Sequence, residues 1–127
     1  MTEIIRPTMV IDKDICLHNI EKMAQKAKDY QMRFRPHFKT HQSAEIGDWF
    51  RIYGVEAITV SSVQMAEYFA QHGWNDITIA FPINILEIDI INRLATKIKL
   101  NVLLENKEAA AVLAKKATRK IGVFLKI

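Results

Sequence analysis

Stretches rich in β-branched and aliphatic residues begin near positions 32, 57, 77, 100 and 121, about 20–25 residues apart. Each gap has room for one helix. A hairpin needs only a few linking residues, whereas a helical crossover returns the chain to a strand running the same way. The spacing therefore predicts an α/β chain with a parallel sheet of about five strand–helix units.

The elements can be placed from local signals. Thr8–Ile11 reads as a short strand. Asp12 reads as the cap of a helix over about 13–30, with Leu17, Ile20, Ala24 and Ala27 as its apolar stripe. A strand over 32–39 follows. Ser43 opens a helix with Ile46, Trp49, Phe50 and Tyr53 at helical spacing, closed by Gly54, and Trp49 and Phe50 read as core. Ala57–Ser61 is a strand, and Ser61-Ser62-Val63-Gln64 has the form of a capping box for a helix ending near Gly73. Ile77–Phe81 is a strand, Asn84 starts a helix to about Thr96, and Leu100–Leu104 is a strand. Asn106 caps a helix to about Ala117, and Ile121–Ile127 is the last strand.

These strands have two unlike faces. Ile58, Val60, Ile77, Ile79, Phe81, Leu100, Val102, Leu104, Ile121, Val123, Leu125 and Ile127 form an apolar set. Thr59, Ser61, Thr78, Asn101 and Lys126 fall on the alternate positions. A doubly wound sheet buries both faces and reads as uniformly apolar. One apolar and one partly polar face suits the wall of a (β/α)8 TIM-like barrel. The expected domain is a partial barrel over residues 1–127. The chain stops on Phe124-Leu125-Lys126-Ile127, inside a strand, so the expectation is the N-terminal part of a longer protein or a truncated gene product.

Composition narrows the class. One cysteine, Cys16, excludes an internal disulfide and fits a reducing, cytoplasmic setting. No apolar run reaches the roughly 18–20 residues of a membrane span, and Met1–Pro7 lacks the apolar core of a signal peptide. The net charge of +4 favours anionic partners without implying nucleic acid. The run Lys115–Lys120 reads as a solvated helix end that complements the helix dipole.

The most unusual segment is residues 33–43, Arg-Phe-Arg-Pro-His-Phe-Lys-Thr-His-Gln-Ser. Phe34, Pro36 and Phe38 alternate with Arg33, Arg35, His37 and Lys39. Cationic and titratable side chains on one strand face are costly in a core and suit a site for an anion. Lys39 sits where the strand should end, and that end of a parallel strand carries the chemistry in barrels. Alternation alone also allows a lysine that merely snorkels from a strand end. His37 and His41 stand four apart but straddle the strand end, which speaks against a metal site. His41 reads as a hydrogen-bonding pocket wall, and Cys16 as structural.

Arg35-Pro36-His37-Phe38-Lys39-Thr40-His41 resembles the lysine motif of the D-threonine aldolase and D-serine dehydratase family. These are fold-type III pyridoxal-phosphate enzymes related to alanine racemase. Thr8–Asp12, Asn19–Met23, Thr59–Glu67 and Asp76–Pro82 fit the same pattern, so the resemblance covers essentially the whole chain. It implies that Lys39 forms the Schiff base with pyridoxal 5′-phosphate. It also implies that the first short strand joins a C-terminal β domain, absent here. The remaining barrel strands and that domain would supply most phosphate contacts and the zinc ligands. A divalent metal, zinc or manganese, is therefore expected only in a full-length parent.

On this reading Arg35 and His37 would lower the pKa of Lys39 and attract a phosphate or carboxylate. Thr59 and Ser61 would face the cofactor, and Thr40 and His41 would line the pocket. The implied function is lyase chemistry on a small D-hydroxy-amino acid, dehydratase or aldolase. An amino-acid racemase and a non-catalytic pyridoxal-phosphate-binding module are the alternatives. The expected partners are that small molecule and, through open sheet edges, a second copy of the chain, with neither nucleic acid nor membrane.

Overall fold

The computed structural model describes residues 3–127. Helix α1 spans Lys13–Asp29 and α2 spans Ala44–Ile52, with a 3₁₀ turn at Phe38–Thr40 between them. Three βα repeats and a final strand follow: β1 Ile58–Val60, α3 Val63–Gln71, β2 Asp76–Pro82, α4 Ile88–Ala95, β3 Lys99–Leu104, α5 Lys107–Lys116 and β4 Gly122–Leu125. The four strands are all parallel and lie in sequence order, β1-β2-β3-β4. This is the connectivity of a barrel wall, one crossover helix per step.

Local chemistry starts the helices. Asp12, Ser43, Ser62 and Asn106 each accept a hydrogen bond from the backbone N–H three residues on, at 3.0, 3.3, 3.1 and 2.7 Å. Such a cap contributes about 1 kcal/mol. The expected box at Ser61–Gln64 shifts by one residue. The cap is Ser62 and its third helical position is Met65, so no glutamine side chain returns the bond.

Ile58, Val60, Ile77, Leu100 and Val102 are almost fully buried on the helix-facing side of the sheet. They pack with Ala66, Phe69, Ile91, Leu94 and Leu113 from the crossover helices. Burying each Ile or Leu contributes about 1.5–3 kcal/mol before entropy is counted. On the other face Thr59, Thr78, Asn101 and Gly122 lie in one register row. Phe124, on that open face, is 51% exposed, and Lys126 is also exposed.

Three expectations fail. Thr8–Ile11 forms no strand, because no other segment offers it hydrogen-bond partners; Met9 and Val10 stay exposed. Residues 32–39 form no strand either. Their backbone pairs with β1 through the single bridge His37↔Thr59, because Pro36 has no N–H for a ladder. The described residues thus form four strands rather than five. Trp49 is half-buried outside the core, with the Lys13 ammonium 5.3 Å from its ring centroid, while Phe50 packs against the core as expected.

Candidate functional site

The 33–43 segment runs along the free edge of β1, parallel to it. Thr59 N–H donates to Pro36 O at 2.8 Å. Past that point the chain curls. Lys39 N–H donates to His37 Nδ1 at 3.2 Å, Thr40 Oγ1 donates to His37 O at 3.4 Å, and Gln42 N–H donates to Phe38 O at 3.0 Å. Gln42 then turns the chain with φ 48°, a left-handed conformation that costs a non-glycine residue about 1 kcal/mol.

Phe38 anchors this turn. It has no exposed surface, and its ring lies 5.1, 5.0 and 5.1 Å from the centroids of Phe50, Phe69 and Trp74. Gly47 on α2 makes the fit possible: a Cβ there would sit 3.1 Å from the Phe38 ring. Lys39 follows immediately and is exposed. Among the described residues its ammonium joins no ion pair; the carboxylates so engaged are Asp48 and Asp76, with other cations.

The neighbours differ from the expectation. Arg35 does not stand free beside Lys39. Its guanidinium reaches toward the N-terminal ends of β1 and β2 and pairs with Asp76 Oδ1 at 2.7 Å. Its charge is neutralised there, so it gives Lys39 no free positive field. Burial, and then the Lys39 charge, holds the His37 pKa below its usual value, so this imidazole is neutral at neutral pH. With Nδ1 accepting from Lys39 N–H, the His37 proton resides on Nε2.

His41 is part of the aromatic cluster and lines neither of the two cavities that flank the sheet. Its ring lies 4.5 Å from Phe38 and 5.9 Å from Phe50, and Nδ1 accepts from Ser43 N–H at 3.1 Å. Nε2 is buried without a partner among the described residues, and burial lowers the His41 pKa. Thr40 is exposed and closes its own turn instead of lining a pocket. Thr59 makes a long 3.5 Å contact to Arg35 O.

Two cavities flank the sheet. One of about 260 Å³ lies at the C-terminal ends of the strands, lined by Ser61, Ser62, Phe81 and Asn84 over an apolar floor of Ile79 and Val102. Lys39 is not in its wall: the structure places Ser61 at this cavity, whose floor is on the helix-facing side of the sheet, and His37 with Lys39 in the turn, as two separate parts. The larger cavity, about 1060 Å³, opens at the N-terminal ends beside Arg33, Asp76 and Lys99. Barrel chemistry belongs to the C-terminal ends, which favours the smaller one despite its size.

Two features escaped the sequence reading. Asp76, the partner of Arg35, shares the Thr78 face at a spacing of two and was identifiable on that ground. A bulge between Ile79 and Pro82 leaves Phe81 62% exposed at the cavity mouth. Pro82 inside a strand was its signal.

No family model matches the chain. D-threo-3-hydroxyaspartate dehydratase from Delftia sp. (strain HT23) is 39% identical over 74 residues, 58% of this chain and 20% of the relative. The structure of that dehydratase superposes with TM-score 0.84 at 28% identity, covering 91% of this chain and 31% of that one. An alanine racemase-like protein from Idiomarina loihiensis gives TM-score 0.81 at 26% identity over 92% of this chain and 32% of that one. The fold is that of the alanine racemase-like barrel. D-threonine aldolase from Filomicrobium marinum, TM-score 0.87 at 23% identity, adds support for the fold over 93% of this chain and 33% of that one. These neighbours match the family resemblance carried by the Arg35–His41 motif. The chain spans about a fifth of the curated relative and about a third of the solved structures.

Proposed function

We propose that this chain carries the cofactor-anchoring lysine of a pyridoxal-phosphate-dependent lyase acting on D-hydroxy-amino acids. The observation that carries the reading is Lys39. It is an exposed lysine without a carboxylate partner among the described residues, on a turn locked by Phe38, beside a sheet with the alanine racemase-like fold. An amine without a carboxylate partner fits the aldehyde end of pyridoxal 5′-phosphate, which takes a nucleophile free of an ion pair. Bound there, the cofactor supplies the electron sink for carbanion chemistry.

The chain's own contribution is orientation and proton handling. Lys39 Nζ would hold the cofactor and, when free of it, would stand as a local base. His37 stays neutral and fixes the turn through its Nδ1. Ser61 stands at the rim of the 260 Å³ cavity, over its apolar floor. Arg35 is assigned no cofactor contact, because Asp76 occupies it. Among the described residues no group of three or more His, Cys, Asp or Glu is arranged to hold a metal, so a divalent ion would need ligands from elsewhere. No described helix is long and apolar enough to cross a membrane. The lyase reading ranks above a racemase because a relative 39% identical over 74 residues is a dehydratase.

Because the chain covers about a third of the solved relatives, we assign it the first strand–helix units of a barrel completed by further polypeptide. Alone it should anchor cofactor without turnover. The assay is pyruvate release from D-serine or glycine release from D-threonine, with cofactor and divalent metal. The 127-residue chain should stay near the cofactor-only rate. A Lys39-dependent excess of about a thousandfold, the scale of lost positioning and electrostatic stabilisation, would refute that division of labour.

A further inference from the structure

The segment bearing Lys39 has very little sheet pairing to hold its register. It meets β1 through the single bridge His37↔Thr59 and the hydrogen bond from Thr59 N–H to Pro36 O. Pro36 cannot donate a bond in return. A slip of one residue would reverse which side chains face the core, lifting Phe38 out of its aromatic site and turning Lys39 inward.

One side chain spans the gap that the backbone leaves. Arg35 Nη1 donates to Ile58 O at 3.2 Å and to Asp76 O at 3.3 Å, while Nη2 donates to Asp76 Oδ1 at 2.7 Å. It thus ties the segment to β1 and β2 together. Asp76 is held from the far side as well. Its Oδ2 accepts from Lys99 Nζ at 2.9 Å, and its Oδ1 lies 3.4 Å from Asn101 Nδ2, which also donates to Thr78 Oγ1 at 3.2 Å. Asn101 in turn rests over Gly122, where a Cβ would collide with its side-chain oxygen. The row therefore runs from the motif across every strand. The Arg35 and Asp76 side chains are 18% and 17% exposed, so their charge-assisted bonds are only partly screened.

We propose that Asp76 is a positioning residue for Lys39. Through Arg35 it fixes the register of the 33–43 segment against β1 and β2, while Phe38, one residue before Lys39, fixes its depth. The functional half of this inference rests on Lys39 being the cofactor-anchoring lysine; the structural half does not.

The test uses the 127-residue chain, Asp76→Asn, Asp76→Glu and Arg35→Lys. Two readouts are taken on variants whose circular dichroism is unchanged. One is hydrogen exchange at the Thr59 amide, which reports the Pro36 contact without any cofactor. The other is the share of borohydride-trapped pyridoxyl label on Lys39 after exposure to pyridoxal phosphate, mapped by peptide mass. In Asp76→Asn the Thr59 amide should exchange about tenfold faster or more while Val102 in β3 keeps its protection. The Lys39 share should fall about fivefold, with surface lysines unaffected. Asp76→Glu should recover most of both, and Arg35→Lys, which keeps the charge but loses the fork, should resemble Asp76→Asn. Unchanged Thr59 exchange in folded Asp76→Asn or Arg35→Lys would overturn the proposal outright. Faster exchange with an undiminished Lys39 share would overturn its functional half. Faster exchange in a protein whose wild type never favours Lys39 would support the positioning and defeat the cofactor reading instead.

Discussion

Truncating Phe38 to alanine should damage both the fold and the presentation of Lys39. The ring is wholly buried and meets Phe50, Phe69, Trp74 and His41 at centroid distances between 4.5 and 5.1 Å. Phe→Ala at such a site costs about 3–5 kcal/mol, from lost transfer energy and the cavity left behind. Gly47 has no side chain to fill the space, and Trp74 is itself fixed by neighbours, so collapse around the hole should be limited and the cost should fall in that range. At roughly 2.1 cal/mol/K per residue, unfolding 127 residues carries an entropy of about 0.27 kcal/mol/K, so the melting temperature should fall by roughly 11–19 °C. Urea titrations of Phe38→Ala and Phe34→Ala, followed by circular dichroism, provide the measurement. The half-buried Phe34 should cost less than half as much. A loss below about 1 kcal/mol at Phe38, with an unchanged denaturant slope, would show that the aromatic cluster does not hold the turn.

Acid should destabilise the chain in two separate windows. Burial lowers the folded-state pKa of His41 and His37 below 6.5, so their contribution is intact above pH 6.5 and is lost as pH falls through the lowered folded values. Burial tends to raise the Asp76 pKa, but hydrogen bonds and charge from Lys99 and Arg35 outweigh it; its contribution is present above pH 3.8 and is lost as pH falls through a folded value below that. The urea midpoint should therefore decline first in the His window, less so in His41→Phe, and a midpoint flat from about pH 7.5 to about pH 5 would contradict the burial argument. The unpaired edge of β4, with Val123, Phe124 and Leu125 at 45, 51 and 74% exposure, should drive self-association of this chain. Sedimentation should show a dimer that Phe124→Glu weakens, and a stable monomer at all practical concentrations would exclude it.

The parts of this structure that depend on neighbouring residues were legible in the sequence. Asp12, Ser43 and Asn106 cap helices where side-chain oxygen and backbone N–H lie three residues apart, a purely local event. The two-faced strands were legible where burial alternates with period two, in β1 and β3, and less so in β2, where Thr78 is buried beside Ile77 and Ile79. Segment 32–39 also alternates, but alternation records which side chains face the core and not whether the backbone is paired. Pro36 removed the ladder, and the pattern survived without it. Thr8–Ile11 shows the converse, a strand-like composition with nothing to pair against. The site was legible in its lysine and not in its electrostatics. Arg35 found its counterion 41 residues away, at the start of β2, and His41 was drawn into the aromatic cluster because Phe38 brought the turn there.

The central claim is that this fold presents Lys39, and no other lysine, as the anchoring amine. Mapping the borohydride-trapped pyridoxyl label on the wild-type chain at limiting pyridoxal phosphate tests it most directly. The label should concentrate on Lys39, beyond exposed lysines such as Lys107 and Lys116, and urea should abolish that preference. A label spread over the lysines in proportion to exposure, the same in folded and unfolded chain, would contradict it.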